Sequence, residues 1–232
     1  MNKKTSNYSS EQTKGAIEPF AEVIESSLQE WKAQCWKWNQ FPSFGSIVTI
    51  KSGLKTIFGI VHQIQMGSMD PTRYPFPYQK TEQELLKEQP QIFEFLKTTF
   101  CCITLGYKQH GKIHYLLSPE PPKIHAFVQN IDKNTNKEFF SSDKYLHLLF
   151  GLSGQVFNLE ELLLAMINYQ VKLNIFSKEK INKFIETFSL LTANDYRRLK
   201  LFLQRVEPLL KIDPSLNSPH QVRDTAGQAT VI

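Results

Sequence analysis

The sequence predicts a mixed α+β chain, with an N-terminal helix, a small β-barrel and then a C-terminal helical bundle. Three observations carry this. Apolar residues from Ile17 to Trp38 recur at spacings of three and four, and runs rich in β-branched residues, broken by turn residues, fill 43–128. After about Asn130 the period becomes helical and stays so.

In chain order, residues 1–16 are polar and aperiodic and read as a disordered arm. Ile17, Phe20, Ala21, Ile24, Leu28, Trp31, Cys35 and Trp38 then define one apolar helical face, with Pro19 in the first turn, where a missing N–H is harmless. From Ser43, SIVTIKS and TIFGIVHQIQM predict a hairpin across Gly53 to Lys55, and Gly59 inside the second run predicts a bulge. The prolines of GSMDPTRYPFPYQK forbid a regular ladder and predict a crossing loop. Thr81 and Glu84 form a capping box for a short helix that ends before Pro90. A second hairpin is expected from Thr98 to Tyr107 and Lys112 to Ser118, followed by extended PEPPK and one more strand in IHAFV.

The barrel segment with its helix thus spans 17–130, and a boundary is placed at 131–141. Four amphipathic helices are expected over 142–211: one capped by Ser142 or Asp143, one by Asn158, one by Ser177, and one opened by Thr192 with Asp195. Residues 212–232 read as a disordered tail. Its last residues, Ala229 to Ile232, match the simplest C-terminal peptide form captured by strand addition.

With 232 residues, 41% of them hydrophobic, 21% charged and a net charge of +5, the chain has the makings of a globular core and is not a disordered polyelectrolyte. Three cysteines without C-x-x-C poorly suit a secreted disulfide framework and predict reduced thiols in a cytoplasmic protein. The basic start lacks a following apolar region, so no export signal is expected. Apolar runs such as Leu162 to Ile167 fall far short of a membrane span.

The chemistry-bearing patterns are sparse. G-x-x-x-x-G-K-[ST] and G-x-G-x-x-G are both missing, and GLSG at 151–154 does not satisfy a nucleophile elbow, so Ser153 reads as part of a helix-ending turn. His110, His114 and one of Cys101 or Cys102 suggest a metal set, but strand alternation sends the two cysteines to opposite faces, so no metal and no cofactor are expected. His62 and His125 read as ordinary strand residues. Asp70 and Arg73 in DPTR are candidate binding residues, either as a substrate-binding pair or as a local turn. Arg197, Arg198, Lys200 and Arg205 form the densest basic cluster, either a phosphate-contacting surface or a solvated helix face without an interleaved exposed aromatic. Trp31 and Trp38 are expected to pack, whereas Trp36 points elsewhere and is a candidate partner contact.

The runs FGSIVTI and IFGIVHQI, the loop with DPTRYPFPY and the late PEPPKIHAFV, over about 44–128, resemble the barrel shared by HerA-type DNA translocases and rotary ATP synthases, the HAS barrel. In that family the barrel precedes an ATPase core and helps ring subunits assemble. Here no nucleotide-binding motif follows, and no catalytic residue carries over. The resemblance implies a stand-alone interaction barrel whose protein partner is a HerA-type or other ring ATPase. The sequence reading is therefore a non-enzymatic adaptor docking to a larger protein assembly through its barrel or its helical part. A nucleic-acid-binding adaptor, using an OB-like barrel face or the basic last helix, is the alternative. A hydrolase built around the DPTR loop is a third reading.

Overall fold

Residues 17–38 form strands, not the expected helix. In a computed structural model, which describes residues 17–70, 72 and 75–210, β1 (Pro19–Ser26) and β2 (Glu30–Cys35) make an antiparallel hairpin. The segment EWKAQC alternates strictly, with Trp31, Ala33 and Cys35 turned inward and Glu30, Lys32 and Gln34 outward. Pairing with distant strands decides between the two periods: β2 lies against the later strand β5, Trp31 opposite Cys102 and Ala33 opposite Phe100. Tertiary context overrides the local helical spacing.

The expected hairpins are present. β3 (Ile47–Ser52) pairs with β4 (Lys55–Ser68), and β5 (Leu96–Gln109) pairs with β4 and with the short β6 (Lys112–His114), so the return strand is shorter than 112–118. β7 (Phe127–Asn130) inserts between β1 and β3. The order β2-β1-β7-β3-β4-β5, with β2 pairing back to β5, closes a six-stranded antiparallel barrel, and β6 hangs on β5 outside it. Register shifts at Phe58/Gly59 and Val61/Gln63 bend β4, as the glycine predicted. A Cβ on Gly59 would lie 2.4 Å from Cζ2 of Trp31, so the indole fills the barrel against bare backbone.

The barrel interior holds Ala21, Val23, Trp31, Ala33, Val48, Ile50, Val61, Phe100, Cys102 and Val128. The opposite faces of β3, β4 and β5 are also apolar, through Ile47, Phe58, Ile60, Ile103 and Leu105, and these merge with the helical residues into one continuous core. The segment 131–141, read as a polar linker, carries the helix α3 (Lys133–Phe139), whose Phe139 is fully buried, after α1 (Glu82–Glu88) and α2 (Gln91–Glu94) inside the β4–β5 connection. α4 (Tyr145–Gly151), α5 (Leu159–Lys172), α6 (Lys178–Leu191) and α7 (Tyr196–Leu210) follow, so four α-helices lie within the described part of 142–211 and α3 precedes them. Asn158 and Ser177 cap α5 and α6 as predicted, accepting from the N–H of Glu161 and of Lys180. α5 packs on α7, α4 on α6 and α6 on α7, and the layer shares its core with the barrel flank.

No helix among the described residues is long and apolar enough to cross a membrane. The expected arm at 1–16, the tail at 212–232 with its C-terminal peptide motif, and Arg73 lie outside the described residues.

Candidate functional site

β4 and β5 are each 14 residues long, which exceeds what the barrel uses, because β2 contacts β5 only from Thr99 to Ile103. Their distal halves continue pairing out to Ser68 opposite Leu96, and the crossing loop with α1 and α2 sits at the far end. From Gln63 to Lys97 no described residue is buried. The arm is nonetheless organised locally. Thr81 accepts from Glu84 N–H while the Glu84 carboxylate accepts from Thr81 N–H at 2.8 Å, the predicted capping box. Met69 N–H donates to Phe95 O at 2.7 Å, Trp38 stacks on Phe93 at 5.3 Å, and Lys80 pairs with Glu88. On this scaffold Met66, Met69, Phe76, Tyr78, Leu86 and Phe95 stand exposed, with Phe76 72% accessible and packed edge-to-face on Tyr78.

Asp70 lies at the base of the arm's loop. Its Oδ1 accepts from the Thr72 N–H at 2.9 Å and from the Thr72 hydroxyl at 2.6 Å, an Asx turn of the kind that Asp-Pro favours. Trp36 is about half exposed (51%), its indole N–H donates to Glu22 Oε1 at 3.1 Å, and its ring meets that of Phe127 edge-on at 5.5 Å. Trp31 is buried and Trp38 packed, as expected, although on strands and loops instead of a helix.

The four basic residues of α7 divide. Arg198 pairs with Glu160 at 2.8 Å and Arg205 with Glu161 at 2.5 Å, so two guanidinium groups brace α7 against the first turn of α5. Arg197 and Lys200 are exposed. Tyr196, 73% accessible, stands beside Arg197, an exposed aromatic that the sequence reading did not place there.

No protein-family model matches this chain, and no curated protein does.

Cys35 and Cys102 are buried and Cys101 is half-buried. Cys102 faces the barrel interior and Cys101 the opposite side, as alternation requires. Among the described residues no three His, Cys, Asp or Glu side chains converge on a point. Burial pushes the Cys35 thiol from its ordinary 9.0 up to about 12, holds Cys102 well above 9.0, and raises the Tyr115 phenol from 10.0 to about 12. The unfolded chain releases these protons near pH 9 to 10 while the folded chain keeps them, so the folded state binds more protons there and loses stability as pH rises from 9 toward 12. The denaturant midpoint is expected to fall steadily between pH 8.5 and 11, reflecting a stability loss on the order of 1 kcal/mol or more in all. A midpoint flat across that window would show that these groups ionise freely in the fold.

Proposed function

We propose that this chain is a non-enzymatic docking protein whose β4–β5 arm engages a protein partner. The supporting observation is the arm itself: no described residue from Gln63 to Lys97 is buried, yet Met66, Met69, Phe76, Tyr78, Leu86 and Phe95 stand exposed on it. Ordering a backbone costs about 1–2 kcal/mol per residue, which burial normally offsets. Among the described residues none buries these apolar side chains, and aromatic and Met side chains are the types enriched in interface cores. The barrel resemblance makes a HerA-type or other ring ATPase the partner class to try first. The nucleic-acid alternative draws less support, because Arg198 and Arg205 already have carboxylate partners at 2.8 and 2.5 Å.

The test is affinity capture from source cells with the full chain, with a Phe76→Ser, Tyr78→Ser variant, and with a variant whose residues 69–95 are replaced by Asn-Gly. Each is run with and without nuclease at two salt concentrations. A stoichiometric protein that survives nuclease and salt, and is retained at least about tenfold less by both variants while their unfolding is unchanged, supports the arm. Equal retention by all three sinks the arm as the docking element. Material that is nuclease-sensitive and salt-labile moves the function to phosphate contacts.

A further inference from the structure

Charge is unevenly spread along this chain. From Gly45 to Met69, and again from Phe95 to Pro119, the sequence has no Asp or Glu, but it has Lys51, Lys55, Lys97, Lys108 and Lys112. These stretches contain the strands β3 to β6, and the β3–β4 and β5–β6 turns meet at the end of β4 and β5 opposite the arm, where Lys55 lies across from Gln109.

Cross-strand partners share a face of a sheet, and so do residues two apart on one strand. The outermost row at this end is Ser52, Lys55, Gln109 and Lys112, and the next row on the same face includes Ile57, Tyr107 and His114. The Tyr107 and His114 rings stack, with centroids 4.9 Å apart and planes 15° from parallel. Both residues are half-buried, and β6 is the last strand of the sheet, so no described strand covers the far side of His114. Two residues span about 7 Å along a strand, so the two ammonium groups stand one row out from an aromatic pair.

Among the described residues Lys55 and Lys112 take part in no ion pair. On the reverse face, with Lys51, Thr56 and Lys108, the acids are already engaged. Glu138 pairs with Lys108 at 2.6 Å, and Asp132, which lines the same hollow as Lys51, accepts through Oδ1 from the N–H groups of Asn134 and Thr135. Phosphate complements the lysines and the flat face of a base complements the ring pair, a combination suited to a single strand. A duplex would bring phosphates but keep its bases inside the stack, away from the rings.

We propose that this end of the β3–β6 sheet binds single-stranded nucleic acid, with phosphates on Lys55 and Lys112 and a base against the Tyr107–His114 stack. The surface is separate from the arm and from α7, and it does not rest on the docking reading.

The experiment is fluorescence anisotropy of a labelled oligothymidylate of about twelve nucleotides, titrated with the full chain between about 50 and 200 mM salt. Unlabelled oligothymidylate, an abasic strand, a duplex of the same length and phosphatidylserine vesicles serve as competitors; the vesicles are included because Leu54 stands exposed at the β3–β4 turn. Saturable binding is expected, with oligothymidylate competing at least about fivefold better than each of the others. Lys55→Gln combined with Lys112→Gln should weaken binding at least about tenfold at low salt and flatten the slope of log affinity against log salt by about 1.4, the share of two phosphates. His114→Ala should weaken it at least about fivefold without changing that slope, and His114→Phe, which keeps a ring, should retain it. Lys144→Gln combined with Lys172→Gln, on the helical side, is the control for net charge, and unfolding midpoints confirm that each variant is folded. Equal competition by the abasic strand, the duplex or the vesicles would show a general polyanion surface. That result, equal weakening in the control, unaltered affinity in the Lys55 and Lys112 variant or in His114→Ala, or no saturation overturns the proposal.

Discussion

Phe139→Ala is expected to lower the unfolding free energy by about 3–5 kcal/mol, a large share of the 5–15 kcal/mol typical of a domain. The ring is fully buried and sits where two parts of the molecule meet. It lies 4.9 Å from Phe58 of the barrel, 5.4 Å from Tyr115, 5.3 Å from Phe140 and 5.7 Å from Tyr145. Truncation leaves a cavity bounded by β4 on one side and by helices on the other, and those elements cannot close on it without separating from their own neighbours. Urea unfolding followed by tryptophan fluorescence and by far-ultraviolet circular dichroism measures the loss. Phe157, whose side chain is wholly exposed, provides the control, and its replacement by Ala should change little. A loss below about 1 kcal/mol at Phe139 would show that the barrel and the helices do not depend on this ring.

Gly45→Ala should cost about 2–4 kcal/mol for a different reason. Gly45 has φ +77°, and its N–H donates to the Val61 carbonyl at 2.8 Å, which ties the entry of β3 to β4. A Cβ there would stand 2.7 Å from the Ala165 Cβ and 2.8 Å from both the Ala165 carbonyl carbon and the Met166 nitrogen. Two of those atoms are backbone of α5, which cannot rotate away as a side chain would. The substitution must therefore lift the helix from the barrel or twist the turn. Gly53→Ala separates the contributions: Gly53 also has positive φ, +60°, but nothing lies within 4 Å of its Cβ position, so only the conformational cost of about 1 kcal/mol applies. Equal losses at the two glycines would mean that the approach of α5 carries no weight.

The local elements were largely legible from residues. β3 and β4 followed from β-branched runs around a turn, the Gly59 bulge from a glycine inside a strand pattern, and the starts of α1, α5 and α6 from Thr81, Asn158 and Ser177. The error at 17–38 arose because Ala21, Trp31 and Cys35 satisfy a period of two and a helical face alike. The pairing that decides between them, β2 with β5, joins residues some seventy apart and leaves no local mark. Helix α3 escaped notice because KNTNKEF is polar apart from Phe139, whose burial depends on Phe58 across the seam. At the candidate sites, the sequence placed α1 correctly but could not show that α1 buries nothing.

The way in which the barrel closes also has a consequence for biosynthesis. Among the described strands β1 and β2 leave the ribosome before the others, yet their partners outside the hairpin are β7 and β5, the former ending at Asn130. Until β5 emerges the nascent β1–β2 ribbon has two open edges, and until Asn130 emerges the β1 edge still lacks β7, while α4 to α7 have not yet been made. Non-local closure is entropically slow, so the interval before Asn130 is the stage at which this chain most needs protection by a chaperone.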